Sequence, residues 1–176
     1  MVECELCGLM KEDARVLYRD DIATVLIPKE VSALGELIAL PNSHEILFEN
    51  LPDETASHMA IIANKASMAL VAALGCTGTN LLVQSGEQAG QHHSHTFIRI
   101  IPRFENDNIS LEWQPQKLSE EDMATIEIKL RDACQKIFFK QKEKGLEEFN
   151  LAEEEKPNED NKDKYKHMLE HLKRIP

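Results

Sequence analysis

Two short stretches of this chain carry residue types that could do chemistry. Near its start, Cys4 and Cys7 form a C-x-x-C pair. Two such thiols can chelate a soft metal ion, cycle as a redox pair or remain reduced and inert, and tetrahedral zinc would need two further nitrogen or sulfur donors. Farther along, His92, His93 and His95 precede Phe97 and Arg99. Side chains alternate faces along a strand, so a strand from His95 to Ile101 would point His95, Phe97 and Arg99 the same way. An imidazole can move protons or bind metal. Arg99 only donates hydrogen bonds, so it could grip a phosphate or carboxylate through its planar fork, or pair with one of the many acids. Phe97 has no lone pair and cannot attack phosphorus.

The elements that would position these residues follow from periodicity and turn signals. Val16 to Tyr18 and Ile22 to Ile27 read as two strands joined at Arg19-Asp20-Asp21, and Glu36 to Leu40 reads as a third that ends at Pro41. Pro52-Asp53-Glu54 opens a long helix with Met59, Ile62, Ala66, Met68 and Leu70 mainly at helical spacing, and Gly75 closes it. Thr79 to Gln84 and His95 to Ile101 complete five strands around the Gly-rich loop from Ser85 to Gly90. The chain is thus expected to be α+β, with a mainly antiparallel five-stranded sheet and two helices. The second helix starts at Ser119-Glu120-Glu121-Asp122, a capping pattern, and runs to about Lys144. Ile109 to Trp113 is expected to be a short edge strand or extended arm. The organisation is read as one domain over 1–144 and a charged extension over 145–176. In that extension Glu153 to Asp160 has the composition of a linker, and Tyr165, Met168, Leu169 and Leu172 sit at helical spacing.

Composition bounds the class. With 176 residues, 42% of them hydrophobic, the chain can build a real core. A net charge of −11 argues against charge-driven binding to nucleic acid or to an anionic membrane. No run reaches about 18 uninterrupted apolar residues, and a soluble, cytoplasmic protein with reduced thiols is expected. Cys76 and Cys134 have no motif around them and read as core or helix residues.

The stretch from Ala89-Gly90-Gln91 through His95-Thr96-Phe97-Ile98-Arg99 to Ile100-Ile101-Pro102-Arg103 resembles the signature of the histidine triad (HIT) family. There, a Gly-Gln turn leads into His-x-His-x-His, an apolar run and often Pro-Arg. In that frame His95 keeps the first triad position, Phe97 replaces the second, which is the family's nucleophile, and Arg99 replaces the third. The resemblance implies a HIT-like fold and a homodimer. It also implies zinc, because many microbial members bind it with an N-terminal Cys-x-x-Cys, a histidine in a Pro-x-x-His run and the first triad histidine. Here these are Cys4, Cys7, His44 in Pro41-Asn42-Ser43-His44, and His95. A bound nucleotide or small phosphate compound would be held by Gln84, Gly90, Gln91, His92 and Arg99. The family's ribose-binding acid corresponds to Pro28, and the Gly-His pair before the third strand to Gly35-Glu36. The leading expectation is a protein without the family's covalent nucleotidyl-histidine chemistry. The alternatives are a phosphoramidase or hydrolase using His92 or His93 in place of Phe97, and a dimeric interaction scaffold that works through its tail.

Overall fold

The computed structural model describes residues 4–140. Residues from there through Ile109 form one compact unit, and the described residues from Ser110 onward belong to a second. The expected boundary at 144/145, the linker and the terminal helix lie outside the described residues.

The first unit is built on strands β1 (Val16–Arg19), β2 (Ala23–Leu26), β3 (Leu37–Pro41), β4 (Gly78–Val83) and β5 (Ile98–Arg103). They form one sheet in the order β1-β2-β3-β5-β4, with every neighbouring pair antiparallel. Alternation sorts their side chains between two cores. On one face Ala23, Val25, Leu37, Ala39, Ile98 and Ile100 pack under helix α2 (Asp53–Leu74), which contributes Met59, Ile62, Ala63, Ala66, Leu70 and Val71. On the other, Leu26, Ile38 and Leu40 meet Leu6 and Leu9, with Phe97 packed against them. Removing these side chains from water is the main term holding both layers to the sheet.

Leu6 and Leu9 belong to a one-turn helix, α1 (Glu5–Leu9), so the described residues hold three α-helices rather than the expected two. Cys4 stands at its N-cap and Cys7 lies within it, not in a loop. A five-residue helix has too few periodic positions to register in sequence, and docking of its leucines fixes it. α2 is long and apolar enough to cross a membrane by length and composition, yet its apolar stripe is the roof of the larger core. It ends as expected, with Gly75 left-handed and its N–H bonded to the Val71 carbonyl at 3.1 Å.

The turn between β1 and β2 is locked by Asp20. Its carboxylate accepts the Ile22 and Ala23 N–H groups at 2.9 and 2.8 Å, the Tyr18 hydroxyl at 2.8 Å, and approaches His58 Nε2 of α2 at 2.7 Å. The backbone N–H of Ala23 is foremost in holding this carboxyl well below the usual range.

The expected arm at Ile109 to Trp113 forms no strand. Just before it, Asp107 accepts the N–H groups of Phe104 and Ile109, and Asn106 and Asn108 take positive φ, so the chain turns instead of pairing. In the second unit α3 (Glu120–Lys140) begins where the capping pattern predicts. Ser119 Oγ accepts the Asp122 N–H at 3.1 Å and donates to its carboxylate at 2.6 Å. Cys134 is exposed on this helix, and Cys76 is fully buried in the first unit.

Candidate functional site

Three separate segments bring Cys4, Cys7, His44 and His95 together. Their Sγ and ring nitrogen atoms all lie within 4.8 Å of one another. Cys7 Sγ is 3.3 Å from His44 Nδ1 and 3.4 Å from His95 Nδ1, and Cys4 Sγ is 3.8 Å from His95 Nδ1. Ligands on one tetrahedral ion, with bonds of about 2.0–2.3 Å, stand roughly 3.5 Å apart, so these separations fit a shared ion. His95 is fully buried and its Nε2 is 3.1 Å from the Pro41 carbonyl. A carbonyl can only accept, so Nε2 carries the proton and Nδ1 turns its lone pair toward the thiols. Burial pushes the His95 imidazole down, which keeps it neutral as a ligand must be. Burial, and then Cys4, pushes the Cys7 thiol up, so a second thiolate here needs a cation to balance it.

Beside this corner lies a cleft of about 280 Å³. Leu6 of α1 and Phe97 line its floor, the Gln84, Gly90 and Gln91 loop forms one side, and Glu30, Ser32 and Glu36 form another. His92, His93 and Arg99 also reach it. Gly90 is left-handed at φ +81°, a conformation that favours glycine, and a Cβ there would sit 2.6 Å from Gln84 Nε2 and displace that amide. The amides in the loop are spent on its shape. Gln84 Nε2 donates to the Ala89 carbonyl at 3.0 Å, and Gln91 bonds the Gly86 N–H and the carbonyls of Ile46 and His93.

The strand carrying the motif starts later than expected. Ile98 is its first residue, so His95 and Phe97 precede it, and the Thr96 N–H bonds to the Glu45 carbonyl at 2.7 Å. That excursion sends His95 into the cysteine cluster while Phe97 and Arg99 face the cleft. The His93 ring lies 5.8 Å from the Phe97 ring, edge to face, and its Nδ1 is 3.8 Å from a Glu5 carboxylate oxygen.

Arg99 is both paired and presented to the cleft. Its Nε donates to Glu36 Oε1 at 2.6 Å, and its Nη2 approaches the same oxygen at 2.5 Å and donates to Ser32 Oγ at 2.7 Å. Glu36 Oε2 accepts the Ser32 N–H at 2.5 Å, and Glu36 is 1% exposed. Of the two roles expected for Arg99, an ion pair and an anion grip, the contact with Glu36 is the ion pair. Glu36 carries no expected role, and its one sequence signal is its place after Gly35, where the family resemblance expects a Gly-His pair. Asn80 Oδ1 on β4 accepts from Arg103 Nη1 at 2.7 Å.

With this geometry in view, the comparisons place the chain. No family model matches it. An Arabidopsis thaliana protein named adenylylsulfatase HINT3 is 30% identical over 138 residues, covering 75% of this chain and 70% of that one. A HIT family protein from Bacillus anthracis shares the fold, with a TM-score of 0.67 at 23% identity over 75% of this chain and 97% of its own. A zinc-bound histidine triad family protein from Mycobacterium smegmatis matches with a TM-score of 0.57 at 23% identity, over 65% and 84% of the two chains. The chain therefore belongs to the histidine triad family.

Proposed function

We propose that this protein is a zinc-containing HIT protein that binds a nucleotide or small phosphate compound without the covalent nucleotidyl-histidine step. One observation carries the reading: the cleft keeps an Arg99 nitrogen for an anion, whereas Phe97 fills the place from which the family attacks. Among the described residues Arg99 Nη1 has no hydrogen-bond partner, which leaves that edge for an anion. The name of the Arabidopsis relative, an adenylylsulfatase, supports an adenylylated or similar phosphate ligand.

Zinc is held by Cys4, Cys7, His44 and His95, a reading supported by the four-donor geometry and by the zinc-bound mycobacterial structure. The ion would cross-link α1, the loop after β3 and the lead into β5, and so hold Leu6 against the cleft. A reducing compartment, the cytoplasm, keeps both thiols available. The protein acts as a homodimer. β4 is an outer strand of the sheet with Leu81 49% and Val83 38% exposed, which suits pairing with a second copy.

Calorimetry with AMP, GMP and inorganic phosphate tests the reading on metal-analysed protein. Binding without turnover of an adenosine phosphoramidate is expected, and no binding by any of the three rejects it. A second reading rests on His93, whose ring lies against Phe97 in the cleft and near Glu5. In that reading a displaced histidine sustains hydrolysis. Phosphoramidate turnover that disappears in His93→Ala would establish it, and rates equal to buffer would end it.

A further inference from the structure

The replacement at the third triad position brings a carboxylate with it, and the pair changes what the cleft can accept. Arg99 is the one permanent cation among the cleft-lining residues, and Glu30 and Glu36 are its two carboxylates. Glu36 is 1% exposed and engages the Nε and Nη2 edge of the guanidinium through Oε1, while Ser32 takes another Nη2 contact. The remaining Nη1 edge can donate to one anionic group. Lys29 is not among the cleft-lining residues, and the Nζ of its half-exposed side chain stands 3.6 Å from a Glu5 carboxylate oxygen. Volume points the same way: about 280 Å³ is at the small end for ligand clefts, which usually span about 300–1,000 Å³.

We infer that Glu36 is a specificity-determining residue that restricts the cleft to ligands with a single phosphoryl group and turns away polyphosphates. This rests on the phosphate-binding reading above. The buried carboxylate does so in two ways. It fixes Arg99 in one orientation, with Ser32 as the second tether, so that a ligand meets a preorganised donor rather than a mobile one. It also offsets most of the guanidinium charge, so the Nη1 edge donates to one phosphoryl group, while a second or third phosphate finds no further permanent cation in the cleft lining and meets the Glu30 carboxylate.

The test is titration calorimetry of the full, zinc-loaded chain with AMP, ADP and ATP in magnesium-free buffer at fixed ionic strength. AMP is expected to bind at least about tenfold tighter than ATP, as one added like charge within several ångströms implies. The ratio should shrink as salt is raised. Glu36→Gln keeps a hydrogen-bonding side chain but removes the charge, and it should bring the AMP-to-ATP ratio close to one mainly by strengthening ATP binding. ATP binding as tight as AMP in the wild type, or a salt-independent ratio, would overturn the inference without needing the variant. An unchanged ratio in folded Glu36→Gln would also overturn it. Failure of all three nucleotides and of inorganic phosphate to bind removes the phosphate-binding reading itself, and this one with it.

Discussion

The cysteine and histidine corner and the cleft beside it share the Phe97 segment, and they have fared differently. In the corner every donor the family pattern requires is present, and the geometry closes around one point. In the cleft Phe97 and Arg99 stand where the family resemblance expects histidines, and Arg99 is paired with Glu36. A four-ligand site is all or nothing, since losing one donor opens the shell, whereas a binding cleft can exchange one network for another if each buried polar group keeps a partner.

Metal removal should separate the two regions most strongly. Cys7→Ser, or chelation of the metal, is expected to abolish zinc stoichiometry and to lower stability by about 4 kcal/mol where free metal exceeds its Kd a thousandfold. Metal analysis with denaturant unfolding checks this, and unchanged stability would reduce the corner to incidental thiols.

Restoring the family triad tests the cleft. Phe97→His with Arg99→His strands the buried Glu36 carboxylate, at a cost of about 3 kcal/mol. Adding Glu36→Gln should recover much of that loss. If the double variant is as stable as wild type, the two positions are not coupled.

Loop shape comes next. Gly90→Ala forces a Cβ to within 2.6 Å of Gln84 Nε2 at φ +81°, and should cost about 1–2 kcal/mol with weaker AMP binding. Equal affinity and melting temperature would show that the loop is not held as described.

Between the two regions, Thr96 Oγ1 is buried without a hydrogen-bond partner among the described residues. Thr96→Val should stabilise by about 1 kcal/mol with zinc content unchanged, read from chemical denaturation.

The smallest effect lies away from both regions, at the β1–β2 turn. Asp20 titrates lower in the folded chain than in the unfolded one, so its contribution is full above the unfolded carboxyl value, about 3.9, and is lost as pH falls below it. Asp20→Asn should flatten that acid limb and leave the neutral-pH pocket untouched, as stability measured between pH 2 and 5 would show.

Several features were legible because they depend on local rules. Five strands form a mainly antiparallel sheet, α2 runs from Asp53 to Leu74 with Gly75 closing it, and Ser119 caps α3. The metal set was readable from three short motifs once their spacing was compared with the family's. Others depend on contacts distant in sequence. α1 forms because Leu6 and Leu9 find Leu26, Ile38 and Leu40. β5 starts at Ile98 rather than His95 because the Thr96 N–H is taken by the Glu45 carbonyl. Likewise Arg99 meets Glu36 across 63 positions of sequence.

Residue type and spacing alone made legible the resemblance to the histidine triad family, the α+β class, the lack of a lone pair at Phe97 and the four candidate metal ligands. Only the tertiary structure decided that those four donors converge and that Arg99 is tied to Glu36 with one edge left free. It also decided that Gln84 and Gln91 spend their amides on the loop. The physical reason is that buried polar groups must find partners, and which partners are in reach is a property of the folded chain.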